Sequence, residues 1–295
     1  MNNISAFFTV YPIAFPIIAG VFGLAIGSFL NVAIYRFPVM LERKWQSQCQ
    51  EILRPDKQKP PKKTKRFDLA VPSSCCPHCG HAITALENIP VLSFIWLRGK
   101  CSACGKPISW RYPLVELLTG GLTAAVAWHF GYSIAALAAM ALTWSLIALS
   151  FIDVDRQLLP DDITLPLLWG GLILNAYAIF TPTVSAVIGA ASGYVFLWLV
   201  YQAFKLATGK EGMGYGDFKL FAALGAWLGW QSLPLIILLS SLVGAIAGLS
   251  FILFFGHDRR MPIPFGPFLC IAGWIALMWG NDLTRLYLQF AHISY

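Results

Sequence analysis

Apolar runs separated by short polar breaks dominate the chain, and one long polar stretch interrupts them near the start. The runs fall near 11–34, 113–130, 133–152, 163–180, 184–206, 218–231, 233–255 and 265–288. Most approach the roughly 20 residues with which a helix crosses a bilayer. The pattern predicts an all-α polytopic membrane protein of about eight transmembrane helices. The sixth run, Phe218 to Gln231, is short enough to be re-entrant or to merge with its neighbour. The first is too long for the apolar region of a secretory signal and no lysine or arginine precedes it, so it reads as a retained span. The expected organisation is a first span within 1–35, a polar insert over 36–112 and a helical membrane domain over 113–295.

Composition agrees with this reading. Hydrophobic residues make up 57% of the chain and charged residues 12%, half the roughly 25% of a soluble domain, which leaves too little polar surface to keep the chain in water. Charge adds an orientation. Of the 21 Lys and Arg, 14 lie between Arg36 and Arg111, against five acids there, a local net of +9. A basic excess beside a span marks the cytosolic side and anionic lipid headgroups rather than nucleic acid. With the insert cytosolic, the later cytosolic loops hold Arg156, Lys205, Lys210, Lys219, Arg259 and Arg260. The outer loops around Gly131, Thr181-Pro182 and Gln231-Ser232 hold no basic residue, and only Arg285 falls on the outer side. Both termini then face outward. Within the insert, Glu42 to Asp68 is rich in Lys, Pro and Gln and reads as an exposed, partly disordered extension.

Two knuckles, Cys76-Pro-His-Cys79-Gly80 and Cys101-Ser-Ala-Cys104-Gly105, stand in this insert. Two such turns present four thiolates tetrahedrally, as a structural zinc site requires, and the glycines relieve crowding in each turn. A reducing cytosol favours a metal over disulfides. Cys75 adjoins Cys76, but the spacing favours Cys76 as the ligand, and Cys49 and Cys270 read as structural. A four-thiolate site is closed, so its Zn2+ holds the fold and leaves no coordination position for chemistry.

Outside the insert the chain has nine acids, and five of them gather at predicted cytosolic edges: Asp153, Asp155, Asp161, Asp162 and Asp217. Asp153 directly follows the apolar run Ile147 to Ile152. Asp217 closes Gly212-Met213-Gly214-Tyr215-Gly216, whose glycines permit a tight bend. An ionisable group beside a span is costly and marks a functional candidate. Two carboxylates held together in low dielectric share a proton, so one activates water while the other protonates a leaving group. That chemistry hydrolyses a peptide without a metal or a covalent intermediate. The plainer alternatives are a helix cap at Asp217, ahead of a helix starting at Phe218, and a span terminus at Asp153. Asp155, Asp161 and Asp162 read as turn or capping residues.

These motifs together resemble the bacterial type IV prepilin peptidases. Gly27-Ser28-Phe29-Leu30-Asn31-Val32 with Tyr35-Arg36 is similar to the family's first-span signature. The knuckles, with Asn88-Ile89-Pro90 and Arg98-Gly99-Lys100, resemble its zinc-containing loop, and Arg111-Tyr112-Pro113-Leu114-Val115-Glu116 the start of its second span. Asp153 with Leu159-Pro160-Asp161 resembles the motif of the first catalytic aspartate, and Gly214-Tyr215-Gly216-Asp217 the GxGD motif of the second. Lys219 and Pro264-Phe265-Gly266-Pro267-Phe268 fit as well. The resemblance implies an aspartic peptidase of the bacterial inner membrane, with Asp153 and Asp217 catalytic. Its substrates would be prepilins or the pseudopilins of type II secretion, cut at the cytosolic membrane face behind a basic leader. It also implies methylation of the new N-terminal amine from S-adenosylmethionine, with Asn31, Arg36 and Glu116 as candidates near the donor. Glu116 serves equally as an acid favoured by the dipole at a helix N-terminus. Readings from other classes are a transporter with the aspartates as an ion relay, whose acids would lie near mid-bilayer on broken helices, a zinc-stabilised membrane scaffold, and a methyltransferase without proteolysis. Whether the chain pairs with a copy of itself is not fixed by the sequence.

Overall fold

The computed structural model describes residues 3–53, 66–255 and 264–290. The chain divides into two compact units, Met1–Trp128 and His129–Tyr295. Among the described residues the regular elements are helices, with two isolated bridges in the insert.

In the first unit, α1 (Asn3–Val10) leads into α2 (Ala14–Leu53), α3 (Leu92–Trp96) lies in the insert, and α4 (Arg111–Phe130) follows it. Gly20, Gly23 and Gly27 line the side of α2 that meets α4. A methyl group on Gly23 would lie 2.6 Å from Thr123 Oγ1, and one on Gly27 would lie 2.7 Å from Glu116 Cα. Between membrane helices, small residues at this spacing let backbones approach, and dispersion then holds them. The expected extension from Glu42 to Asp68 is partly corrected, because α2 runs on through Pro38 to Leu53. Val39 to Leu53 contains no glycine or proline and is rich in Leu, Glu, Arg, Lys and Gln, whose side chains lose little freedom in a helix. Residues 54–65, with most of the lysine–proline stretch, lie outside the described residues, as do Arg259 and Arg260.

The second unit is built from α5 (Ile134–Arg156), α6 (Asp161–Ala176), α7 (Thr183–Thr208), α8 (Tyr215–Leu228), α9 (Leu233–Phe255) and α10 (Gly266–Phe290). Ser133 caps α5, its hydroxyl accepting the Ala136 N–H at 3.1 Å. Short α8 is the centre. Every residue from Leu220 to Trp227 is buried, packed among α6, α7, α9 and α10. Gly189 of α7 meets Gly225 of α8 backbone to backbone; a methyl on Gly225 would lie 2.5 Å from the Gly189 carbonyl carbon. Asn175, at the end of α6, fixes the far end of α8. Its Nδ2 donates to the Ala226 and Trp227 carbonyls, both at 2.8 Å, while Oδ1 accepts from Phe180 N and Thr181 N at 2.9 and 3.2 Å. Its amide thus fills all four hydrogen-bonding positions.

Helices stand at all eight predicted positions. Four segments among the described residues are long and apolar enough to cross a membrane: Ala14–Leu53, Ile134–Arg156, Thr183–Thr208 and Trp230–Ser250. The chain is therefore a helical membrane protein. With 16 and 14 residues, α6 and α8 reach only about 24 and 21 Å, short of a hydrocarbon core of about 30 Å. The sixth helix also begins earlier than predicted, at Tyr215, with Gly214 in extended conformation ahead of it.

Gly225→Val should force α7 and α8 apart at their closest approach and destabilise the protein by roughly 1–3 kcal/mol, the usual range for overpacking. A fall in the thermal unfolding midpoint of the detergent-solubilised protein, absent in a Gly121→Val control on an open face of α4, is the expected outcome.

Candidate functional site

The structure brings Asp153 and Asp217 together at one end of the second unit. Asp153 belongs to the last turn of α5 and is 5% exposed. Its Oδ2 accepts the N–H of Gly266 at 3.0 Å. Gly266 opens α10, so this N–H is one that the helix leaves unpaired at its start. A methyl on Gly266 would lie 2.7 Å from the same oxygen, so only glycine lets the backbone come this close. Asp217 is 8% exposed and sits in the first turn of α8, three residues after Gly214, its own N–H bonded to the Gly214 carbonyl at 3.2 Å. It is not the residue ahead of the helix that a cap requires, because α8 starts at Tyr215. The two carboxylates lie close enough for their charges to act on each other. Oδ1 of Asp217 is buried with no hydrogen-bond partner among the described residues.

Two neighbours of this pair were not among the expected site residues, Leu159 standing only within the Leu159-Pro160-Asp161 match and Cys270 reading as structural. Leu159 is wedged between the two glycine turns: methyls on Gly216 and Gly266 would lie 2.7 and 3.2 Å from its side chain. Cys270, 2% exposed, lies one turn beyond Gly266 on α10, within electrostatic reach of both aspartates. Its spacing of four from Gly266 on a single helix is the one hint the sequence offers. Asp155, Asp161 and Asp162 are exposed, the latter two in the first turn of α6. A buried carboxyl pair with one unpartnered oxygen suits it to take and give protons to a bound water or carbonyl.

A second cluster lies in the first unit. The sulfurs of Cys76, Cys79, Cys101 and Cys104 all fall within 4.8 Å of one another and could hold a metal ion. The two knuckles fold alike. Cys76 N–H donates to the His81 carbonyl and Gly80 N–H to the Cys76 carbonyl, both at 2.9 Å; Cys101 with Lys106, and Gly105 with Cys101, repeat both bonds at 2.9 Å. Gly80 and Gly105 turn each knuckle at φ of 73° and 68°, a region open to glycine at little cost. Cys75 forms the bridge to Ala82 instead and stays outside the cluster. Backbone N–H groups of His78 and Cys79 lower the Cys76 thiol toward the thiolate a metal takes, whereas, against the His81 N–H, desolvation and the crowded neighbouring thiols push Cys79 up. Glu87, unnoticed in the sequence, ties the knuckles together. It accepts from the Ser102 hydroxyl beside one, from Thr84 N–H at 2.8 Å and from the Thr84 hydroxyl at 2.9 Å, and meets His81 beside the other at 3.4 Å. These bonds, that of Ser102 foremost, hold its carboxyl down at about 2.

The remaining candidates, Asn31, Arg36 and Glu116, all make contacts within the first unit. Asn31 Nδ2 donates to the Tyr112 carbonyl at 3.1 Å. Glu116, buried one turn along α4, accepts the Val91 N–H at 2.8 Å and lies against Ser28. Val91 has φ of 61°, rare for a β-branched residue, and the bond to Glu116 holds it there. Ser28 donates to Asn88 Oδ1 at 3.2 Å. Arg36 stands apart from this group, its Nη1 and Nη2 donating to the Asp68 and Pro72 carbonyls at 2.8 and 2.6 Å.

Comparison with known proteins covers both units. Residues 21–130 match the bacterial peptidase A24 N-terminal domain, and residues 140–249 the type IV leader peptidase family. A relative from Aeromonas hydrophila is 60% identical over 270 residues, covering 90% of this chain and 91% of its own. Relatives from Stutzerimonas stutzeri and Pseudomonas aeruginosa are 56% and 54% identical, each covering at least 95% of both chains. All three bear the name prepilin leader peptidase/N-methyltransferase. No solved structure gave a significant match. Identity at this level across nine-tenths of the length, with both family domains in order, means that the chain belongs to the type IV leader peptidase family.

Proposed function

We propose that the chain removes the basic leader from prepilins or pseudopilins by aspartic peptide hydrolysis, with Asp153 and Asp217 as the reacting pair, and methylates the new N-terminal amine. The observation that carries the hydrolytic half is the buried Asp217 Oδ1, unpartnered beside a second carboxylate among the described residues. An orphaned carboxyl oxygen is unfavourable unless the task supplies its partner. Here the partner is the attacking water or the scissile carbonyl. The Gly266 N–H fixes one oxygen of Asp153, which holds that carboxyl in a single orientation. The pair shares one proton. The ionised member takes a proton from water as it attacks the carbonyl carbon, and the protonated member gives its proton to the departing nitrogen. Both groups lie at helix ends, α5 at its last turn and α8 at its first, and the basic residues Arg156 and Lys219 beside them favour the cytosolic membrane face over a mid-bilayer ion relay.

The finer assignments follow from chemistry and charge. A tetrahedral Zn2+ with Zn–S of about 2.3 Å sets sulfurs about 3.8 Å apart; the Cys76–Cys104 and Cys79–Cys101 separations are 3.9 and 4.0 Å. Zinc fits, held by four thiolates in a closed structural site. The basic insert sets the orientation, with insert and active site on the cytosolic side of the bacterial inner membrane. S-adenosylmethionine, when bound, supplies a methyl group carried on a sulfonium. Of the three candidates, Glu116 fits a cation, sulfonium or amine, since its carboxylate is buried and already oriented by Val91. Asn31 shapes the same region through Tyr112, whereas Arg36 is committed to two carbonyls.

Asp153→Ala and Asp217→Ala should each lower leader removal by about 10²–10⁴-fold, the usual worth of a positioned acid or base, while methyl transfer to an already trimmed pilin continues. The mass of the product from purified enzyme and prepilin reads both steps, and undiminished cleavage in both variants would end the peptidase reading. For the metal, Cys76→Ser should lose bound zinc and Cys75→Ser should keep it, as measured by metal content of the purified protein.

A further inference from the structure

Lys219 lies two residues beyond Asp217, and its ammonium is held by both oxygens of Asp161, at 2.6 and 2.7 Å. The sequence suggested a turn or cap for Asp161 and placed it, like Lys219, within the motifs of the family resemblance, without pairing the two. We propose that the Asp161–Lys219 ion pair is a positioning device for hydrolysis, setting the first turn of α8, and with it the Asp217 carboxylate, against the loop that follows Asp153. This rests on the reading of Asp153 and Asp217 as the hydrolytic pair.

Three observations support it. The pair joins the start of α6 to the start of α8 across 58 residues of chain, and those two turns frame the loop from Gln157 to Pro160. Leu159 of that loop is wedged against Gly216, the residue before Asp217, and against Gly266, the partner of Asp153. A shift of α8 relative to α6 therefore changes the gap between the two carboxylates directly. A lysine near a helix N-terminus is also opposed by the helix dipole, whereas an aspartate in the first turn is favoured. Lys219 at this place in α8 is unfavourable by itself and becomes acceptable through Asp161.

The pair is too exposed to hold the fold. The side chains of Asp161 and Lys219 are 53% and 28% exposed, and ion pairs of that kind add little to stability. Placement is a more sensitive quantity, since a displacement of about 1 Å in a reacting group lowers rate by about a hundredfold. The Lys219 ammonium hydrogen-bonds to Asp161. Its influence passes through Asp161 and the backbone and not through direct contact with the reacting atoms.

The test uses the purified full-length protein with a prepilin substrate. Asp161→Asn and Lys219→Met should each lower kcat for leader removal by roughly ten- to a hundredfold, with KM unchanged. The reversed pair, Asp161→Lys with Lys219→Asp, should recover most of that loss. Methyl transfer to trimmed pilin, measured on the same preparations, should stay at its original rate. Unchanged kcat in both single variants overturns the inference, as does a loss the reversed pair fails to recover. An equal loss of methyl transfer overturns it too, since it reports general unfolding. Asp153→Ala and Asp217→Ala separate the two levels. If those abolish cleavage while the ion-pair variants leave kcat unchanged, the positioning role alone falls; if cleavage survives in Asp153→Ala and Asp217→Ala, the peptidase reading falls with it.

Discussion

Two carboxyl groups buried side by side repel when ionised and lose hydration when they leave water, so the surrounding structure must hold them together against both effects. In this protein the holding is done largely by backbone. The α10 N-terminus offers Asp153 an N–H that would otherwise be unpaired, and Gly214 opens α8 so that Asp217 comes into its first turn. Glycines stand at Gly266 and at Gly216, the residue before Asp217, because there the neighbouring side chains approach too closely for a Cβ. The packing of α7 against α8 at Gly189 and Gly225 extends the same device along the membrane helices. Close approach of small residues substitutes for the hydrophobic driving force that lipid does not supply between helices.

The chemistry was more legible in the sequence than the architecture that supports it. Asp153 and Asp217 stood out because an acid beside an apolar run is expensive, and the four cysteines because a CxxC pair repeated 25 positions later has few other uses. The helices also stood where hydropathy put them. Helix ends were harder to read. α2 continued to Leu53 because helix propensity carries on where hydropathy stops, and α8 began at Tyr215 because a glycine ahead of it supplies an extended residue. The roles of Leu159, Cys270 and Glu87 were not legible because their importance lies in what folds against them. A leucine, a cysteine and a glutamate at those places have no local pattern that predicts a wedge, a wall or a clasp.

The metal cluster shows a related division of labour. Its knuckles supply the sulfurs and the turns, yet each is only a few residues long, and apart from the converging sulfurs they need a second tie. Glu87 provides it with one carboxylate reaching Ser102, Thr84 and His81. The insert then meets the start of α4 through Glu116 and Val91 and the middle of α2 through Ser28 and Asn88. Segments far apart in sequence that share the family resemblance thus converge in one unit, held by hydrogen bonds to backbone as much as by side-chain pairing.

The saturated amide of Asn175 has a consequence for how the site can respond to what it binds. It clamps α8 at Ala226 and Trp227, some nine residues from Asp217 and about 14 Å along the axis. With Asn175 at one end and the Lys219–Asp161 pair at the other, α8 is braced like a beam on two supports. A substrate must therefore fit itself to a carboxylate whose height along that beam is already set.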